Sequence, residues 1–72
     1  MQQRPEYEYD RIRTVLDRAG VEEPLTAREI VELLDEYGVE IDSPHRVATV
    51  LGRRARDGDV EVIRDQPYRY QV

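Results

Sequence analysis

A chain of 72 residues with no cysteine and a single histidine, His45, has no disulfide and no ligand set for structural zinc. A core this small is lean, so good packing or self-association as a homodimer must supply the stability that such cross-links would give. The 11 basic residues are all arginine and face 16 carboxylates, for a net charge of −5, but the acidic total hides one basic segment. Residues 1–42 carry −7 and residues 43–72 carry +2, and Ser43 to Arg56 contains Arg46, Arg53, Arg54 and Arg56 without one acid. No apolar run approaches the roughly 18 to 20 residues of a membrane span, and Met1 to Asp10 holds no hydrophobic stretch of the signal-peptide kind. The expected compartment is therefore the cytoplasm, with no membrane partner.

In chain order, residues 1–5, ending in Pro5, read as a disordered lead-in to one domain over residues 6–72. Tyr9, Ile12, Val15, Leu16 and Ala19 recur at helical spacing and Gly20 supplies a C-terminal cap, which predicts a first helix over residues 7–19. Tyr7 lies off that stripe, as a dimer contact or an ordinary exposed tyrosine. Pro24 bars further helix and leaves Leu25 available for a short extended pairing. Thr26-Ala27-Arg28-Glu29 then fits a capping box, followed by an apolar stripe of Ala27, Ile30, Val31, Leu34 and Tyr37 and closed by Gly38. The outer face of this second helix is acidic through Glu29, Glu32, Asp35 and Glu36.

Ser43 and Pro44 occupy the N-cap and first-turn positions of a third helix that runs to about Arg56, with Gly58 just beyond it. At roughly 100° per residue, Val47, Val50, Leu51 and Ala55 fall on one side and His45, Arg46, Thr49, Gly52, Arg53 and Arg56 on the other. A hairpin follows. If Val60 and Val62 share a buried face with Tyr70 and Val72, then Val62 lies opposite Tyr70 and Val60 opposite Val72, leaving Asp65, Gln66 and Pro67 as the loop. Tyr68 and Tyr70, on alternate strand positions, read as core, with a base-stacking platform as the other reading.

This order of elements resembles a winged helix-turn-helix domain: an α+β fold of three helices followed by a C-terminal two-stranded hairpin, the wing. Leu25-Thr26-Ala27-Arg28-Glu29-Ile30 looks like the start of its second helix, and Ser43, Val47, Leu51, Gly58 and Val60 stand at the spacings of its third helix and first wing strand. Lysine depletion with excess Asp and Glu further resembles halophilic proteins, with drift in a GC-rich genome, which also favours Arg over Lys, as the other reading; fold and composition together resemble small haloarchaeal winged-helix DNA-binding proteins. The resemblance implies binding of double-stranded DNA by the third helix and the wing, in the service of transcription regulation. One residue departs from it. Arg54 stands where these helices usually carry a leucine, so either Ala55 fills the gap or Arg54 lays its stem along the core and sends its guanidinium to a carboxylate.

The candidate DNA-binding residues are His45, Arg46, Thr49, Arg53 and Arg56 on the one-signed face of the third helix, and Arg64 and Arg69 flanking the hairpin tip. Arginine offers a planar fork for guanine edges and phosphates, and a helix fits the major groove. At the tip, the same charges would also serve simply to discourage edge-to-edge aggregation. Catalysis is not expected. His45 has no nucleophile beside it, Ser43 is explained as an N-cap, and the carboxylates show no paired spacing, so neither a cofactor nor a small-molecule ligand is implied. Two other uses of the same scaffold stay open: a protein–protein adaptor and, more distantly, RNA binding.

Overall fold

The computed structural model describes residues 5–72, with side chains from Glu8 onward. The lead-in over residues 1–4 and the contact expected of Tyr7 lie outside the described residues and side chains. Three helices, α1 (Pro5–Arg18), α2 (Ala27–Glu36) and α3 (Pro44–Arg56), alternate with and precede three short strands, β1 (Leu25–Thr26), β2 (Glu61–Ile63) and β3 (Arg69–Gln71). Pro5, expected to close the lead-in, instead opens α1, where its missing N–H costs no intrahelical bond.

Local chemistry sets the helix ends. At the head of α2 the Glu29 amide donates to Thr26 Oγ1 at 3.1 Å and the Thr26 amide donates to Glu29 Oε1 at 2.9 Å, which completes the capping box. Thr26 is also the last residue of β1, so a strand passes into a helix with no loop between them. All three helices end in the same double-bonded turn, with Val21, Val39 and Asp59 donating back to Leu16, Leu34 and Arg54 respectively. In the first two the residues so joined are an apolar pair. In α3 they are Arg54 and Asp59, and Gly58 makes the turn possible by taking φ 87°.

The sheet is antiparallel in the order β1-β3-β2. It has one strand more than the two-stranded hairpin expected from sequence, because Leu25, kept extended after Pro24, pairs with Tyr70 and makes β3 the central strand. Val62 lies opposite Tyr70 as expected. The ladder runs only from Glu61–Gln71 to Ile63–Arg69, however, so Val60–Val72 falls outside it and residues 64–68, not Asp65 to Pro67 alone, form the connection.

Ile12, Ile30, Leu34, Val47, Val50 and Leu51 are fully buried where the helices meet, and Tyr9, Val15, Leu16, Val60 and Tyr70 close the core on the sheet side. Among the described residues no polar or charged side chain other than tyrosine is buried. Two residues expected inside are outside: Tyr37 is 43% exposed and Tyr68 is 47% exposed. Tyr37 is the C-cap of α2, where the chain has already left helical geometry and the apolar stripe ends. Tyr68 precedes β3 and so lies beyond the paired, covered part of the sheet.

Burial, and to a lesser degree the neighbouring Tyr68, holds the Tyr70 phenol above its ordinary value of 10.0. A group whose folded value is raised stabilises the fold below its unfolded value, and that stability is lost as pH climbs through the folded one. Thermal stability is therefore expected to be steady up to about pH 10 and to fall beyond it. Melting curves across that range check this, and Tyr70→Phe should flatten the alkaline decline.

Candidate nucleic-acid interface

Ser43 accepts the Arg46 amide at 3.3 Å and Pro44 fills the first turn, so α3 starts at a defined point. Val47, Val50 and Leu51 fix its inner face, which leaves Thr49, Gly52, Arg53 and Arg56 as one wall of an open groove of about 620 Å³. The hairpin supplies the other wall through Val62, Arg64 and Tyr68, with Tyr70 between them. No carboxylate lines it, and among the described residues Arg53, Arg56 and Arg64 have no ion-pair partner. A second groove, of about 430 Å³, is bordered by Thr26, Arg28, Pro44, Pro67 and Tyr68 and is also free of acid.

Elsewhere the surface has the opposite character. The cleft between α1 and the sheet sets Asp10, Asp17, Glu23 and Asp59 beside Arg13 and Arg54, and the one beside the α2–α3 connection holds Glu32, Asp35, Glu40 and Asp42 with no arginine. Among the described residues, the two grooves bordered by Arg28, Arg53, Arg56 and Arg64 are thus free of carboxylate in a chain of net charge −5, and the low-dielectric walls of a groove concentrate its field.

The residues anticipated from sequence separate into two groups. Thr49, Arg53, Arg56 and Arg64 converge on the groove between α3 and the hairpin. The Thr49 hydroxyl donates to the His45 carbonyl at 3.0 Å, which leaves its oxygen able to accept. His45 is exposed in the first turn of α3 and does not line the groove. Arg46 is engaged with α1: its Nε lies 3.1 Å from each carboxylate oxygen of Glu8, and its Nη2 bonds the same carboxylate. The Glu8 hydrogen bonds, and then its charge, raise the Arg46 guanidinium further above its ordinary value. Arg69 sits on the central strand next to Tyr70, and since successive residues face opposite sides of a sheet, it points away from the core and the groove.

Arg54 takes the second of the two courses open to it. Its guanidinium lies 4.5 Å from the centre of the Tyr9 ring and donates to Asp59 at 3.2 Å, so it covers the end of the core and adds no free charge to the groove. Two further residues border the grooves: Tyr68, read from sequence as core with base stacking as the other reading, and Arg28, for which no binding role was expected. For Tyr68 the signal was present, since it directly follows the turn residues Gln66 and Pro67. Arg28 gives no sequence signal, because its nearness to Pro44 and Tyr68 arises only when α2 and the hairpin meet.

No family model, curated protein or solved structure matches this chain. Among the described residues no group of His, Cys, Asp and Glu is placed to hold a metal ion, and no helix is long and apolar enough to cross a membrane.

Gly52 bears on the shape of the groove. A Cβ at this position would meet nothing within 4 Å, so core packing does not require a glycine here. In a helix interior glycine costs roughly 0.5 to 1 kcal/mol relative to alanine. Gly52→Ala is accordingly expected to raise the melting temperature by several degrees, at about 4 to 8 °C per kcal/mol for a domain of this size. Thermal denaturation by circular dichroism measures it.

Proposed function

We propose that this chain is a winged helix-turn-helix protein that binds double-stranded DNA, with transcription regulation as the use to which the binding is put. The observation that carries the reading is the acid-free groove framed by Arg53, Arg56 and Arg64 in a chain otherwise dominated by carboxylates. α3 enters the major groove with Thr49, Arg53 and Arg56 toward base edges, while Arg64 on the hairpin holds the adjacent phosphates. The three helices and antiparallel sheet are compatible with this layout. The outward residues of α1 also favour DNA over a protein partner. Asp10, Arg11, Arg13, Thr14, Asp17 and Arg18 are all exposed and none is apolar, so this helix offers no docking patch among its described side chains.

Titration of a labelled duplex across KCl concentrations tests the reading. Log Kobs is expected to fall as log salt rises, by roughly 0.9 of slope for each phosphate that a guanidinium group neutralises. The Arg53→Glu/Arg56→Glu variant should lose binding while keeping its circular dichroism spectrum. Absence of duplex binding by the parent chain, or equal binding by the charge-reversed variant, would overturn it. Gly52→Ala, although more stable, is expected to bind the duplex more weakly, because its methyl group stands between the helix backbone and the base edges.

A further inference from the structure

The DNA-binding reading leaves Tyr68 without a role, and the fold does not need it where it is. The ring is 47% exposed, lies outside the strand ladder, and makes no hydrogen bond among the described residues. It borders both acid-free grooves, with Arg53, Arg56 and Arg64 on one side and Arg28 on the other. An aromatic ring bordering two grooves that are lined by guanidinium groups and by no carboxylate combines the two components by which single strands are held: cations for the backbone and a flat face for a base. The larger groove, of about 620 Å³, is of the size of sites that accept small organic ligands, roughly 300 to 1,000 Å³.

In closed duplex DNA both faces of every base are covered by its neighbours, so a protein ring can stack only on a base that has left the stack or has no neighbour. The geometry points to a subsite at Tyr68 for an unpaired nucleobase, which makes the chain prefer DNA carrying a single-stranded tail over fully paired DNA. This inference rests on the DNA-binding reading: Arg53 and Arg56 meet the base edges of the paired region, Arg64 holds the adjacent phosphates, and Tyr68 receives the first base beyond that region.

The test compares a duplex closed by loops at both ends with the same duplex bearing a short single-stranded tail whose first base is 2-aminopurine. The tailed form is expected to bind about tenfold more tightly, the usual scale of one base–aromatic stack, and its fluorescence to be quenched on binding. Tyr68→Ala should abolish both the preference and the quenching, so that the tailed and closed forms bind the variant alike. Tyr68→Phe should retain both, since stacking uses the ring and not the hydroxyl. Equal affinity of the parent for the two substrates, or a preference that survives in Tyr68→Ala, would overturn the subsite and leave the duplex interface standing. Failure to bind either substrate would overturn the interface and the subsite together.

Discussion

Leu51→Ala is expected to leave the chain largely unfolded near room temperature. Leu51 has no exposed surface and lies on α3 within the cluster that includes Ile12, Ile30, Leu34 and Val47, so truncation opens a cavity where three helices meet. Such a change costs about 2 to 5 kcal/mol, since the surrounding side chains relax only partly into the space. A domain of this size has about 3 to 5 kcal/mol of net stability to lose, and no disulfide supplements it. One residue thus carries an amount comparable to the whole. Tyr37→Ala is the counterpart, because a side chain 43% exposed at a helix end should change stability by no more than about 0.5 kcal/mol. Urea and thermal denaturation of both variants check the pair. A Leu51→Ala midpoint within a few degrees of the parent would be incompatible with this core.

The second large effect belongs to the proposed interface. Arg53→Ala is expected to weaken binding to a preferred duplex by about 1 to 3 kcal/mol, roughly 5- to 150-fold, and to relax sequence preference at one position. Arg53 stands on the exposed face of α3 in its last turn, between Thr49 and Arg56 on the wall of the groove that the proposed interface sets against base edges. Arg64→Ala, which removes a phosphate contact, should lower affinity for all sequences alike and make the salt slope shallower by roughly one unit. Arg69→Ala and Arg46→Ala should do little. Arg69 points away from the groove, and the charge of Arg46 is already met by Glu8. In molar salt the Debye length falls to about 3 Å, so phosphate attraction is largely screened and the base contact of Arg53 should become the more decisive. Titrations of the variants against preferred and random duplexes distinguish these outcomes. Undiminished binding by both Arg53→Ala and Arg64→Ala would remove the groove from the interface.

The sequence by itself determined the elements and most of their inward faces. Thr26 with Glu29, and Ser43 with Pro44, mark helix starts because a capping side chain reaches an amide only three residues away. Ile12, Ile30, Leu34, Val47 and Leu51 are legible as core because helical periodicity places them on one stripe whatever the partner. The opposition of Val62 to Tyr70 follows in the same way from the two-residue period of a strand, which allows only one register if both are to be covered. All of these signals act within a turn of helix or across one hairpin.

What only the tertiary structure decided lies beyond that range. The bonds between Glu8 and Arg46 join residues 38 positions apart, and the seating of Arg54 on Tyr9 depends on how α1 crosses α3, which no local propensity encodes. The third strand required Leu25 to reach Tyr70, and the exposure of Tyr68 depended on where cover of the sheet stops. A helical projection sets Arg54 apart at the edge of the core but leaves Arg46, Arg53 and Arg56 together on the outer face. Packing gives them different surroundings: Arg46 and Arg54 meet carboxylates, whereas Arg53 and Arg56 face the hairpin and Arg64 across a groove that contains none. Charge count and periodicity place a side chain on a face, but its effective charge depends on which groups from distant parts of the chain come within a few ångströms, and that proximity exists only after the helices and sheet have docked.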